Sequence, residues 1–354
     1  MALSVGIVGL PNVGKSTLFN ALTKKQAEIA NYPFCTIDPN VGVVKVPDER
    51  LAKLADMSKP KKIIPTIIEF VDIAGLVKGA HLGEGLGNQF LARVRECDAI
   101  CEVIREFKNN EIIHVNNKID PDDDKETINL ELIFADLAIT QKKLEKTARD
   151  VKSNNKESIA LKNTLEKLIQ ALSAGQAIRE IDLNKEEKEQ IKDLCLLTAK
   201  PIIYVLNINE ENSQASSLSP NNQIIKINVM LEKEIAGLNE IEQAEYIKEL
   251  GLKQSNLDQL IKSTYEALGL ITFLTTGPDE TRAWTIKCNS KAPQAAGVIH
   301  TDFEKGFIRA EIINWQKLIE AGSETIARER GLIRTEGKDY IMQDGDVCNF
   351  LFNK

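Results

Sequence analysis

The chain has 354 residues, 43% of them apolar and 27% charged, with a formal net charge of −7. At about 150 residues per domain this length predicts two or three domains with sizeable cores, and the negative balance excludes nucleic-acid binding by bulk positive charge, leaving only a local patch. Six cysteines (Cys35, Cys97, Cys101, Cys195, Cys288 and Cys348) include no C-x-x-C pair and there are three histidines, against a disulfide framework and a structural zinc site.

The chain opens on MALSVGIVGL, which has no basic leader, and no apolar run approaches the ~18 residues of a membrane span. A cytoplasmic protein without a membrane role is expected. Leu3–Val8 reads as a strand, Gly9-Leu-Pro-Asn-Val-Gly-Lys-Ser-Thr17 follows, and Leu18–Thr23 reads as a helix. G-x-x-x-x-G-K-S between a strand and a helix is the setting of a phosphate-binding loop. Gly9 and Gly14 let the backbone curl so that N–H groups face phosphates at the positive end of the helix. Asn12, Val13, Gly14, Lys15, Ser16 and Thr17 are the nucleotide-binding stretch. Lys15 brings a point charge to the β/γ-phosphates and Ser16 a hydroxyl to Mg²⁺.

Thr36, in the Pro-bounded loop NYPFCTIDPNVG before the apolar run Val41–Val46, has two readings: turn chemistry, or a hydroxyl on Mg²⁺ with its N–H on the γ-phosphate. Thr66–Ile73 reads as a strand ending in D-x-x-G, Asp72 to Gly75. Asp72 there can hold Mg²⁺ through water, and Gly75 can donate its N–H to the γ-phosphate. GAHLGEGLG follows D-x-x-G and opens no βαβ unit, so it reads as a switch loop.

Ala99–Ile104 is the next strand. Asn117-Lys-Ile-Asp120 has the N-K-x-D form that reads guanine, but four residues between Phe107 and Ile112 cannot hold a parallel crossover. Lys200–Asn207 is the better base-reading strand, ending in Asn207-Ile-Asn-Glu210. There Ile208 stands for the lysine whose stem covers the base, and Glu210 for the aspartate that accepts from guanine. Asn207 can pair its amide with the adenine N6/N7 edge, so ATP is favoured over GTP; a solvated loop acid is the other reading of Glu210. Ile224–Met230 reads as the last strand, with the N–H of Met230 or Leu231 toward the base.

GLPNVGKST, NYPFCTIDPN, FVDIAGLVKGAHLGEGLGNQFL, HTDFEKGFIRAE and EGKDYIMQDGD together resemble the Obg-related GTPases, most closely the YchF family of Obg-like ATPases, over essentially the whole chain. The resemblance implies ATP preference through the altered base motif, with Mg²⁺ as cofactor. The position where a glutamine would orient the attacking water is Leu76. His114, in Ile112–Val115, can position that water or accept its proton, and the resemblance points to it as the catalytic group; a hydrogen-bonded structural histidine is the alternative. Asn12 resembles the asparagine of loops that bind K⁺ beside the phosphates, or simply stabilises the loop.

About 75 residues between Asp124 and Lys200 exceed a minimal domain. Leu130, Phe134, Leu137, Gln141, Leu144, Ala148 and Val151 follow helical 4-3 spacing, as do Leu161, Leu165, Leu168 and Leu172, across a polar turn. Two helices in an antiparallel coiled coil are expected. Lys142, Lys146, Arg149, Lys152 and Lys156 lie near its tip, and residues 142–156 carry +4. They are either a solvated face or a phosphate-backbone contact. From about Leu274 short strands and a helix near Gln294–His300 look like a TGS domain, by resemblance a binder of RNA, ribosome or a regulatory ligand. The expected fold is α/β: a P-loop NTPase domain with a Ras-like doubly wound sheet (1–273), a coiled-coil insertion within it (125–198) and a β-grasp TGS domain (274–354). The expected function is a monomeric Mg·ATP-hydrolysing switch, with K⁺ as a candidate activator, that binds the ribosome or its large subunit and RNA. A GTPase of the same architecture, or an adaptor with a structural nucleotide, are the alternatives.

Overall fold

A computed structural model describes residues 3–24, 38–73, 86–109, 118–150, 156–209, 224–252 and 254–353. The chain divides into two compact units, one of Met1–Lys25, Thr36–Gly42 and Glu69–Gln259, the other of Gln26–Cys35, Val43–Ile68 and Leu260–Lys354.

In the first unit, β1 (Ser4–Val8) leads through a glycine loop into α1 (Lys15–Thr23), and β2 (Val41–Lys45) follows. The chain then contributes α2 (Glu49–Ser58) and β3 (Lys62–Ile64) to the second unit and returns with β4 (Ile67–Asp72), α3 (Leu86–Glu96) and β5 (Ala99–Arg105). Two long helices follow, α4 (Pro121–Asp150) and α5 (Lys156–Ser173), then α6 (Lys185–Ile191), β6 (Ile202–Asn207), β7 (Ile224–Ile227), α7 (Val229–Ile235) and α8 (Glu240–Glu249); α9 (Asn256–Ala267) begins in this unit and passes at Leu260 into the second. The sheet order is β2-β4-β1-β5-β6-β7, and β1–β4, β1–β5, β5–β6 and β6–β7 are all parallel. A parallel sheet covered on both faces needs unbroken apolar strands, and every residue of β5 is buried. The strand order reverses at β1, which opens a crevice beyond its C-terminal end.

One residue breaks that apolar rule. Glu102 of β5 stands opposite Val8 and Tyr204, is 0% exposed, and neither carboxylate oxygen has a hydrogen-bond partner among the described residues. Desolvation drives its pKa up to about 8; Arg179 and Lys125 oppose the rise and Asp124 adds to it.

α4 begins at Pro121 with Asp122, Asp123 and Asp124 in its first turn, a sequence suited to a helix N-terminus. Its contact with α5 differs from the expected seam. Leu165, Leu168 and Leu172 of α5 are buried as anticipated, but on α4 Leu130 and Phe134 are 36% and 42% exposed, and Gln141 and Ala148 are exposed too. The buried face runs instead through Ile128, Leu132, Ile133, Asp136, Thr140 and Thr147. Ile133 packs with Leu168, Leu172, Ile178, Leu183, Ile191 and Leu196, so the middle of α4 is set by the segment that follows α5 and by a polar stripe. Val151 lies outside the described residues.

The second unit holds β8 (Leu270–Thr275), β9 (Glu280–Lys287), α10 (Ala292–Ile299), α11 (Thr301–Lys305), β10 (Phe307–Asn314), α12 (Trp315–Ala321), α13 (Glu324–Glu329), β11 (Arg334–Glu336) and β12 (Asp346–Phe352). The sheet order is β11-β10-β12-β8-β9-β3, with β8–β12 and β3–β9 parallel and the other described pairings antiparallel. Strand alternation splits its core in two. Phe273, Ile312 and Cys348 pack with α10, while their neighbours Leu274, Ile313 and Val347 pack with Leu51 and Leu54 of α2.

Folded, Glu102 keeps its proton to about pH 8, whereas the unfolded chain releases it near 4.5. The native state therefore binds more protons across that window, and stability falls as pH rises through it. Glu102→Gln keeps the shape without the charge. Its melting temperature should gain on the wild type between about pH 5 and about pH 9 by at least about 2–4 °C; a pH-independent difference would show that the carboxyl ionises freely.

Candidate functional site

The loop after β1 is held open by its backbone conformation. Gly9 has φ 152° and Gly14 φ 104°, while Asn12 takes φ 63°, a left-handed value that asparagine tolerates. A Cβ on Gly9 would stand 2.5 Å from the Val103 carbonyl oxygen, and one on Gly14 would stand 2.4 Å from Asn207 Nδ2. Only glycine fits either place. Gly14 caps α1 without a side-chain hydrogen bond, so the first N–H groups of the helix meet no capping oxygen and suit an anion.

Lys15 is 8% exposed, and its Nζ donates to the Leu10 carbonyl at 2.7 Å, across the mouth of the loop. Burial lowers its pKa to about 8, against the field of Asp72, which raises it. Asp72 ends β4 opposite Ile7 and donates its N–H to Asn40, while Ser16 is exposed one residue into α1. A hydroxyl and a carboxylate are hard oxygen donors suited to Mg²⁺, which uses few protein ligands and keeps water and phosphate oxygens. Among the described residues no group of three or more His, Cys, Asp or Glu could hold a metal ion. Val13 is buried and Thr17 half-buried, so their side chains anchor the loop.

Asn207 sits where β6 ends, 6% exposed. Its Nδ2 donates to the Val13 carbonyl at 2.9 Å and its Oδ1 accepts from the Val229 N–H at 3.3 Å. These bonds use one of the two amide N–H donors and one of the two lone pairs of Oδ1. They fasten the phosphate loop to the start of α7. Ile208 is 4% exposed and packs with Ile104, Tyr204 and Leu206, turned into the core. The tripeptide Asn228-Val-Met does not extend the last strand. β7 stops at Ile227, and Asn228 caps α7 by accepting the Leu231 N–H at 3.1 Å. That bond takes Leu231 from the expected pair of base-facing N–H groups. Met230, 59% exposed, stays in the first turn, where a helix supplies its N–H no internal partner.

Of the N-K-x-D string, Lys118 pairs with Asp120 at 2.6 Å, and Asp120 accepts the Asp123 N–H ahead of α4. Thr36, Gly75, Leu76, His114, Asn117, Lys152 and Glu210 lie outside the described residues. Asn12, Val13, Gly14, Lys15, Ser16, Asp72, Asn207 and Met230 belong to the first unit, around the ends of β1, β4 and β6. The carbonyls of Leu10 and Val103, which park the lysine and exclude a Cβ, are not marked in the sequence. Backbone groups carry no residue-type signal.

Residues 4–135 match a family model described as a 50S ribosome-binding GTPase. Residues 270–353 match the model for the YchF GTPase C-terminal region, described as a protein of unknown function. The ribosome-binding ATPase YchF of Bacillus subtilis is 49% identical over 365 aligned residues, covering 100% of both chains. Those of Mycoplasma genitalium and Escherichia coli O157:H7 are 50% and 48% identical, covering 99% and 100% of each chain. Among solved structures, the Schizosaccharomyces pombe YchF GTPase is similar at a TM-score of 0.88 and 42% identity, over 99% of this chain and 97% of that one.

A phosphate brought to the Lys15 ammonium favours its charged form and restores a pKa that burial has lowered to about 8. Binding of a magnesium nucleoside triphosphate should therefore take up about half a proton at about pH 8 and almost none at about pH 6.5. Calorimetry in buffers of different ionisation enthalpy reads this directly, and equal uptake at both values would place Lys15 away from the phosphates.

Proposed function

The chain belongs to the YchF family of P-loop nucleoside triphosphatases, and from that membership we propose an ATP-hydrolysing switch whose nucleotide state governs contact with the ribosome. The observation that carries the nucleotide reading is the loop at Gly9–Lys15, open at the free end of α1 and pinned from behind by Asn207.

Gly14 and the first N–H groups of α1 receive the phosphates, and Lys15 exchanges the Leu10 carbonyl for a phosphate oxygen. Ser16 and Asp72, with Thr36, would hold Mg²⁺, which supplies charge neutralisation to the β/γ-phosphates. The N–H of Gly75 binds the γ-phosphate. His114 orients the attacking water or takes its proton, the task for which Leu76 has no polar atom. Asn12 would hold K⁺, which would supply positive charge for the developing negative charge on the phosphates.

The buried Ile208 favours ATP, since no aliphatic stem lies over the base as the lysine of N-K-x-D would. Glu210, in place of an aspartate, is poorly placed to accept both guanine donors. The relatives bear the name ATPase and the solved structure the name GTPase. Affinity decides between them: ATP should bind at least about ten-fold more tightly than GTP, and the reverse order would make this a GTPase. In the same assays His114→Ala should lower kcat by about 10²-fold with KM little changed, and KCl should exceed NaCl in rate. An unchanged rate in either comparison removes that residue or that ion from the mechanism.

Residues 125–198 act as a coiled-coil arm and residues 274–354 as a TGS module of β-grasp type in a cytoplasmic, monomeric protein. Lys142, Lys146, Arg149 and Lys156 are exposed on α4 and α5, and they are the part suited to ribosomal RNA. Ribosome co-sedimentation should fall log-linearly with salt, and Lys146→Glu with Arg149→Glu should reduce it about ten-fold or more. Unchanged sedimentation of that variant assigns the arm's cations to solvent.

A further inference from the structure

Asp136 lies midway along α4 and is 0% exposed, yet its carboxylate is fully used. Oδ1 accepts from Arg95 Nη1 at 3.1 Å and from the Leu197 N–H at 3.0 Å. Oδ2 accepts from the Thr198 N–H at 2.7 Å and from Thr198 Oγ1 at 2.8 Å. Four donors meet the four acceptor sites a carboxylate has. They come from two other parts of the chain, α3 through Arg95 and the turn Leu197–Ala199 through the rest.

Both parts lead to the nucleotide site. α3 is the helix that follows the D-x-x-G segment after Asp72. The turn runs through Lys200 into β6, which ends at Asn207 and its bond to Val13. Lys200 closes the ring by donating its Nζ to the Arg95 carbonyl at 2.8 Å and to the Cys97 carbonyl, at the C-terminal end of α3. Arg95 also donates to the Cys195 carbonyl at 3.1 Å. In the other direction α4 carries the exposed cations Lys142, Lys146 and Arg149, the last about 20 Å along the helix from Asp136.

A buried carboxylate is tolerated only while its partners stay in place, and removing one leaves an uncompensated charge. α3, α4 and the turn before β6 are therefore stable together in this arrangement, and a shift of any one is opposed at Asp136. We propose that Asp136 is a positioning residue of the nucleotide cycle, joining the helix after the D-x-x-G segment and the strand that pins the phosphate loop to the middle of α4, so that nucleotide state and α4 bias one another. The proposal rests on the switch reading above. It assigns the coupling to one carboxylate, with Arg95 as its partner on α3 and Thr198 on the turn.

Hydrogen exchange on the full chain tests it, with Mg·ADP and with a magnesium complex of a non-hydrolysable ATP analogue. In the wild type, peptides covering 9–18 should gain protection with either nucleotide, and those covering 128–140 and 195–200 should differ between the two. Asp136→Asn should keep the nucleotide-induced protection at 9–18 but shrink the ATP-versus-ADP difference at 128–140 about five-fold or more. A merely structural role would lower protection equally in both states and leave that difference intact, which overturns the proposal. So would a wild type protected at 9–18 with no difference at 128–140. Absence of protection at 9–18 in the wild type would instead remove the switch reading, and this inference with it. Should Asp136→Asn not fold, Arg95→Lys carries the same test; it keeps the charge but loses the planar guanidinium, and a difference as large as that of the wild type would again refute the coupling.

Discussion

The nucleotide site depends on a backbone approach so close that no side-chain carbon fits. Gly9 lies against the Val103 carbonyl of β5, and Gly14 against the amide of Asn207 at the end of β6. Two neighbouring strands thereby fix the shape of one loop, and the shape is what points the N–H groups of α1 outward. Asn207 completes the arrangement from behind, joining the loop carbonyl of Val13 to the first turn of α7. The end of β6 and the start of α7 are thereby tied to the phosphate loop through one side chain.

Among the ionisable groups buried in the first unit, Lys15, Asp136 and Glu102 meet their desolvation in three different ways. Lys15 has one protein acceptor and a lowered pKa, which leaves it ready for a stronger anion. Asp136 has four donors and is held as part of the architecture. Glu102 has none among the described residues and meets burial by holding its proton. The same physics thus yields a cation with a lowered pKa, a fully bonded carboxylate and a protonated one, according to how many partners lie within reach.

The first sheet was legible because parallel strands buried on both faces must be unbroken apolar runs, and Leu3–Val8, Ala99–Ile104 and Lys200–Asn207 are such runs. The phosphate loop was legible because its chemistry dictates residue types. The face of α4 was not, since periodicity assumes that apolar residues face inward, whereas here Asp136 and Thr140 are buried and Phe134 is not. Asn228 misled for a related reason: its side chain stops a strand-like run by capping a helix, a local hydrogen bond that composition does not show. The roles of Asn207 and Leu231 turned on which backbone atoms lie beside them, and that depends on contacts between residues far apart in the chain.

The second sheet is finished by a strand made long before it. β3 pairs with β9, and Leu51 and Leu54 of α2 fill one half of that core, although roughly 200 residues separate them from the strands they meet. At about 5–20 residues per second, synthesis leaves this apolar segment waiting for ten seconds or more before its partners exist. The nascent chain must carry an unpaired strand and an uncovered helix face through the time in which its first unit folds. A product cut short after α9 would keep β3 and α2 while lacking the rest of the second sheet, and it would be marked by that surface as a client for chaperones or proteases.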